Sequence, residues 1–188
     1  MALKPKIDKT GITLADIDRD YYDALNLTIA LHPSETLERM MARVLAYCIN
    51  AREQPAFTKG PCAAEEPDIR AHTLDDRTAL WIDVGEPAVD RIRKATRRSP
   101  EVSVYSFNSK SAVWREQRRA VPGVLPVSVF RFQHEEVKSL VTRVQRTMDL
   151  SVTITGYSAC VAAAAGVCEV SRVPLQVREG LMQRHKAR

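Results

Sequence analysis

The chain has 188 residues, 45% hydrophobic and 27% charged, an ordinary composition for one soluble globular domain and too short for two full ones. At this size folding buries roughly 70% of the unfolded surface, so neither a disulfide framework nor a structural metal is required. The net charge of +5 excludes little by its sum, and its distribution along the chain is more informative.

Met1 to Ile12 interleaves Lys4, Lys6 and Lys9 with apolar residues and has no continuous apolar core, so it does not read as a signal peptide. No run reaches the roughly 18 apolar residues of a membrane span. A cytoplasmic protein with no membrane partner is the expectation.

Lys4 to Asp16 and Tyr22 to Leu31 read as strands. In the second, Leu25, Leu27, Ile29 and Leu31 alternate with Asn26, Thr28 and Ala30, and the polar turn Ala15 to Asp20 predicts an antiparallel hairpin. Pro33 suits a first helical turn, and Leu37, Met40, Met41, Val44, Leu45 and Cys48 recur at helical spacing to about residue 52. That stripe places Ser34 and Glu38 on one flank of the buried face. Glu35 is expected to point away from the core, as a first-turn acid favoured by the helix dipole.

Pro55 to Pro67 reads as a loop and Asp68 to Leu74 as a strand. Leu80-Trp81-Ile82-Asp83-Val84 is a buried strand ending at Gly85. Pro87 opens a helix to about Arg98, Val102 to Phe107 is a strand, and Ser109 to Arg119 is helical. Val127 to Phe132 is a strand, Glu135 to Gln145 a helix, and Met148 to Val177 is β-rich with turns at Gly156 and Gly166. Arg178 to Arg188 is a basic tail expected to fray. The pattern predicts one α/β domain over residues 1–188.

Charge is segregated. Glu65 to Asp90 holds eight acids against two arginines, a net −6, while Arg91 to Arg119 holds nine basic residues against two acids, a net +7. Such a juxtaposition suits a metal site beside a surface for a polyanion, and it equally suits two solvated faces that attract one another. Cys48, Cys62, Cys160 and Cys168 fit no short-spaced metal or redox motif and read as reduced thiols.

Asp68 and Asp83 are the residues most suggestive of chemistry. Hard divalent cations take oxygen ligands, and two carboxylates from neighbouring strands converge if those strands pair as a hairpin. Asp83 stands between Ile82 and Val84, where an unpartnered charge is costly; a metal, a hydrogen-bond network or an ion pair would each account for it. Trp81 and Trp114 read as packed aromatics. His32 reads as a capping or packing residue rather than a site residue.

The order of strand, strand, helix with Glu38, Glu66-Pro67-Asp68, Asp83-Val84-Gly85, helix and strand resembles the core of PD-(D/E)xK nucleases. More closely, the chain is similar to the YaeQ family of bacterial proteins. The resemblance is carried by His32-Pro33-Ser34-Glu35-Thr36 with Glu38-Arg39-Met40-Met41, by Phe57-Thr58-Lys59-Gly60, by Glu66-Pro67, and by Leu80 to Gly85. Arg91-Ile92-Arg93-Lys94-Ala95 and Tyr105-Ser106-Phe107-Asn108-Ser109 extend it.

The resemblance implies a restriction-endonuclease-like mixed sheet flanked by helices, with an extra N-terminal hairpin and a β-rich C-terminal part. It implies Asp68 and Asp83 as ligands of Mg²⁺ or Mn²⁺ and Glu38 as a supporting acid. The motif's lysine, which positions or deprotonates the attacking water, falls at Gly85. Lys94, Arg91 or Lys59 would have to replace it. A metal-dependent phosphodiesterase is one expectation, with catalytic residues Glu38, Asp68, Asp83 and Lys94. Nucleic acid would then be the partner, contacted by Arg91, Lys94, Lys110, Arg115 and Arg118. The alternative is a catalytically inactive nucleic-acid- or protein-binding module on the same fold.

Overall fold

The computed structural model describes residues 6–58, 65–111, 113–114, 125–145 and 147–178. The chain runs β1 (Lys6–Asp16), β2 (Tyr21–Leu31), α1 (Leu37–Ile49), a 3-10 turn (Ala51–Glu53), β3 (Ala56–Phe57), β4 (Ile69–His72) and β5 (Thr78–Val84). It continues through α2 (Val89–Arg98), β6 (Glu101–Ser106), β7 (Ser128–Phe132), α3 (His134–Val141), β8 (Thr147–Thr155), β9 (Ser158–Ala163) and β10 (Gly166–Gln176). Ser111, Val113 and Trp114 are helical, whereas residues 112 and 115–119 of the expected third helix lie outside the described residues, as does the tail from 179.

Ten strands form a single mixed sheet in the order β2-β1-β8-β9-β10-β7-β6-β5-β4-β3. The predicted hairpin is present, with Thr10 opposite Leu27 and Ile12 opposite Leu25. It is no appendage, however, because β1 also pairs in parallel with β8, joining Lys9 to Thr147 and Asp16 to Ile154. The expected extra hairpin and β-rich end are thus one continuous sheet with the centre. In that centre β5, β6 and β7 run parallel, which explains the unbroken apolar run of β5: a strand paired on both sides and covered on both faces has no wet side.

The sheet curls around α1, which touches β2 near one edge and β5 near the other, leaving the sheet nearly closed into a barrel. The main core lies within the curl, with Ile29, Met40, Leu45, Ile82, Tyr105, Phe132 and Leu140 buried together. A smaller cluster lies beneath α2, where Trp81, Ile92, Ala95, Val104, Trp114 and Val129 meet. Because side chains alternate along β5, Leu80, Ile82 and Val84 face the first cluster and Trp81 and Asp83 the second.

α1 begins four residues after Pro33. Thr36 is its N-cap, accepting from the Arg39 N–H at 3.2 Å, while Ser34 and Glu35 lie in the preceding turn. At the other end Arg19, from the β1–β2 turn, donates to the Ile49 carbonyl and is itself held by the buried Asp16. A guanidinium at a helix C-terminus complements the dipole and satisfies an otherwise orphaned carbonyl. No helix among the described residues is long and apolar enough to cross a membrane.

Candidate functional site

β4 and β5 pair antiparallel with Ile69 opposite Ile82, so Asp68 and Asp83 form the next pair along the ladder. The Asp68 N–H donates to the Ile82 carbonyl at 2.9 Å, and its side-chain Oδ2 accepts the Val84 N–H at 2.7 Å. The carboxylate therefore continues the ladder with its own side chain. Its Oδ1 accepts from Arg39 Nη2 at 2.6 Å.

Asp83, only 2% exposed, is held by three donors. Arg91 Nη2 reaches Oδ1 at 2.8 Å, while Arg91 Nε and the Trp81 indole N–H each reach Oδ2 at 3.1 Å. Arg91 also donates to the Glu66 carbonyl at 2.6 Å. Burial lifts the Asp83 carboxyl above its ordinary range; Arg91 and the indole N–H oppose the rise, and neighbouring Asp68 adds to it. Burial also works against the charge on Arg91, but Asp83, Asp68 and Glu65 outweigh it and raise that group.

The structure thus brings Asp68 and Asp83 together on one open pocket of about 210 Å³, lined by Arg39, Arg91, Val84, Glu86 and Pro87. Glu86 accepts from the Ser111 hydroxyl at 3.2 Å.

Glu38 is half-buried on the first turn of α1 and does not line this pocket among the described residues. Glu35 is the buried acid, which corrects the expectation that it points away from the core. Lying before the cap, it is not on the helical wheel, and its side chain turns inward between Arg39 and Arg43, both at 2.9 Å. Arg43 is 1% exposed and lies 5.2 Å from the Phe57 ring. A chain of ions, Arg43–Glu35–Arg39–Asp68, therefore ties α1 to the start of β4. Its sequence signal was the spacing Glu35, Arg39, Arg43, four residues apart on one side of the chain, which the apolar stripe around it obscured.

Lys94 is exposed and pairs with Glu65 at 3.3 Å, and Arg98 pairs with the same carboxylate at 2.9 Å. Lys94 does not reach the pocket; Arg91, three residues earlier, does. Lys110 is exposed, and Lys59, Arg115 and Arg118 lie outside the described residues. Trp114 is buried in the cluster beneath α2, a packed aromatic.

Gly85 occupies the position of the motif lysine for a backbone reason. Its φ is +113°, a conformation any side chain would strain, and its N–H donates to the Tyr105 carbonyl at 2.9 Å.

For a divalent cation this donor set is a poor fit. All four oxygens of Asp68 and Asp83 already accept hydrogen bonds, and two guanidinium ions stand in the pocket such a cation would share. Among the described residues no three His, Cys, Asp or Glu side chains converge as a metal-holding group.

Residues 1–172 match the protein family described as YaeQ protein. The "Uncharacterized protein YaeQ" of Escherichia coli strain K12 is 37% identical over 156 residues, covering 82% of this chain and 86% of the relative. The protein of that name from Salmonella typhi is 36% identical over the same shares. The crystal structure of YaeQ protein from Xanthomonas axonopodis pv. citri superposes with a TM-score of 0.87 at 29% identity, covering 92% of this chain and 99% of that one. The YaeQ protein from Pseudomonas syringae gives 0.87 at 32% identity, covering 94% and 98%. With the family matched across nearly the whole length and the solved folds superposing on this one, the chain belongs to the YaeQ family.

Proposed function

We propose that this chain is a nuclease-like protein, built on a variant of the PD-(D/E)xK core, that binds the phosphate backbone of nucleic acid without cutting it. The observation that carries the reading is the closure of the acid pair. Asp68 and Asp83 are each neutralised by a guanidinium and have no oxygen without a protein donor. Beside them, α2 turns Arg93, Lys94, Arg97 and Arg98 outward, with Asp90 and Glu65 as partial counter-charges. A strip of this kind tracks phosphates through counterion release and confers no sequence preference of its own.

A second reading, metal-dependent phosphodiester hydrolysis, is favoured by one observation: Arg91 places a cation against Asp83, the charge that Gly85 does not supply.

The two readings separate in one experiment. Fluorescence anisotropy with a labelled single-stranded DNA and RNA is followed in EDTA and in Mn²⁺, and the oligonucleotides are then resolved on a denaturing gel. The expected result is salt-sensitive binding that persists in EDTA, weakens in the Lys94→Glu/Arg97→Glu variant, and leaves the strands intact in Mn²⁺. Cleavage in Mn²⁺ that is lost in Asp83→Ala would overturn the proposal in favour of hydrolysis. Absence of binding at low salt would remove nucleic acid from the account.

A further inference from the structure

A separate cavity of about 100 Å³ lies where β1 and β8 curl toward β6, β7 and β10, and it shares no lining residue with the Asp68–Asp83 pocket. Arg172 of β10 lines it and is only 7% exposed. Its guanidinium lies 4.9 Å from the Phe130 ring and 5.3 Å from the Tyr157 ring. Among the described residues its one side-chain hydrogen bond, to the Gly156 carbonyl, is long at 3.5 Å. No carboxylate among the described residues lies within ion-pair distance of it. The deeply buried Arg43 has Glu35 as its carboxylate, and even the partly exposed Arg91 has Asp83. A desolvated cation is costly without an anion, and two aromatic faces offset only part of that cost.

The wall of the same cavity carries two further donors. The Tyr105 hydroxyl accepts from Asn50 at 3.0 Å and donates its own proton to no described group. Ser103 is 3% exposed, lines the same space, and its hydroxyl makes no hydrogen bond among the described residues. Three groups that can donate to an anion thus face one small volume.

The other charges at the cavity limit which anion it suits. Asp16 is held by Arg19 and Asp18 accepts the Gly156 N–H, but both, with Glu53 and Glu101, contribute four negative charges against Arg19, Arg52 and Arg172. Such a wall disfavours a dianion about twice as strongly as a monoanion, so a single charge is what the Arg172 guanidinium can offset. The planar fork of a guanidinium matches the two oxygens of a carboxylate.

We propose that this cavity binds a small monocarboxylate, with its oxygens on Arg172 and on the hydroxyls of Tyr105 and Ser103. The site is independent of the nucleic-acid reading.

The probe is acetate, titrated at constant ionic strength and neutral pH against chloride and inorganic phosphate, and followed by ¹H–¹⁵N correlation spectra. The expected result is a saturable shift of the Gly156 and Tyr157 amides with acetate, absent with the other two anions. Arg172→Gln abolishes it. Tyr105→Phe retains the ring stacks on Phe130 and Phe132, so the fold is kept, and weakens acetate by about tenfold, the loss of one hydrogen bond to a charged group. The proposal falls if acetate gives no saturable shift in the wild type, if chloride or phosphate reproduces it, or if Tyr105→Phe binds acetate as tightly as the wild type.

Discussion

Removing the Arg91 side chain tests the reasoning about Asp83 most directly. In Arg91→Leu the Asp83 carboxylate, 2% exposed, keeps the Trp81 indole N–H as its donor and loses both guanidinium bonds. Stranding one partner of a fully buried pair costs ~3–5 kcal/mol. Arg91 is 27% exposed and the pocket is open, so water softens the loss to ~2–3 kcal/mol at neutral pH. For a domain of this length that is a fall in melting temperature of roughly 4–12 °C.

The pH dependence has a definite sign. Burial already raises the folded-state carboxyl of Asp83, and Arg91 is the main influence holding it down, so the variant raises it further. A raised acid contributes stability at low pH and loses it as pH climbs through the folded value. The deficit of the variant against wild type therefore opens as pH rises through the wild-type folded value of Asp83, itself above the ordinary carboxylate range, and is small at acid pH where both folded proteins hold the proton. Urea unfolding of both proteins at acid and neutral pH measures it. Adding Asp83→Asn removes the stranded charge, keeps an acceptor for the indole, and recovers more than half of the loss. A deficit of equal size at both pH values, or a double variant no more stable than Arg91→Leu alone, would refute the argument.

Three other outcomes follow. Glu35→Gln leaves the fully buried Arg43 without its carboxylate and costs ~3–5 kcal/mol in urea unfolding, whereas Glu38→Gln costs less than about 0.5 kcal/mol. The Cys48 thiol, pushed up to about 12 by burial, resists an aromatic disulfide reagent at pH 8 in the folded protein, while exposed Cys160 reacts; peptide mapping of the labelled sites checks both. Arg98→Ala removes one of two exposed partners of Glu65 and lowers the melting temperature by less than about 4 °C, an effect that shrinks in high salt.

Much of this architecture was readable in the chain. Period-two alternation marked β2, and the apolar run marked β5, because each reports a face that must leave water. The three-residue spacing of Ile92 and Ala95 marks the buried side of α2, which leaves Lys94 exposed and Arg91 partly covered. What was not readable has physical reasons. Pro33 suits a helix start, but it sits in a turn before the Thr36 cap, and that displacement reversed the roles of Glu35 and Glu38. Arg43 was hidden in an apolar stretch because its counter-ion lies eight residues back rather than beside it. The positive φ at Gly85 depends on how β5 leaves the sheet, and a lone glycine does not announce it. Alternation also carries no information about which strand a strand will pair with, so the union of the hairpin with the C-terminal strands was invisible.

That union has a consequence for biosynthesis. β1 leaves the ribosome well before its second neighbour, β8, which spans Thr147–Thr155. At 5–20 residues per second, the roughly 130 residues between them take about 7–26 s to synthesise, and throughout that interval one side of β1 has no ladder partner. The nascent hairpin therefore presents an open strand edge to other chains for many seconds, the condition under which edge-to-edge association competes with folding.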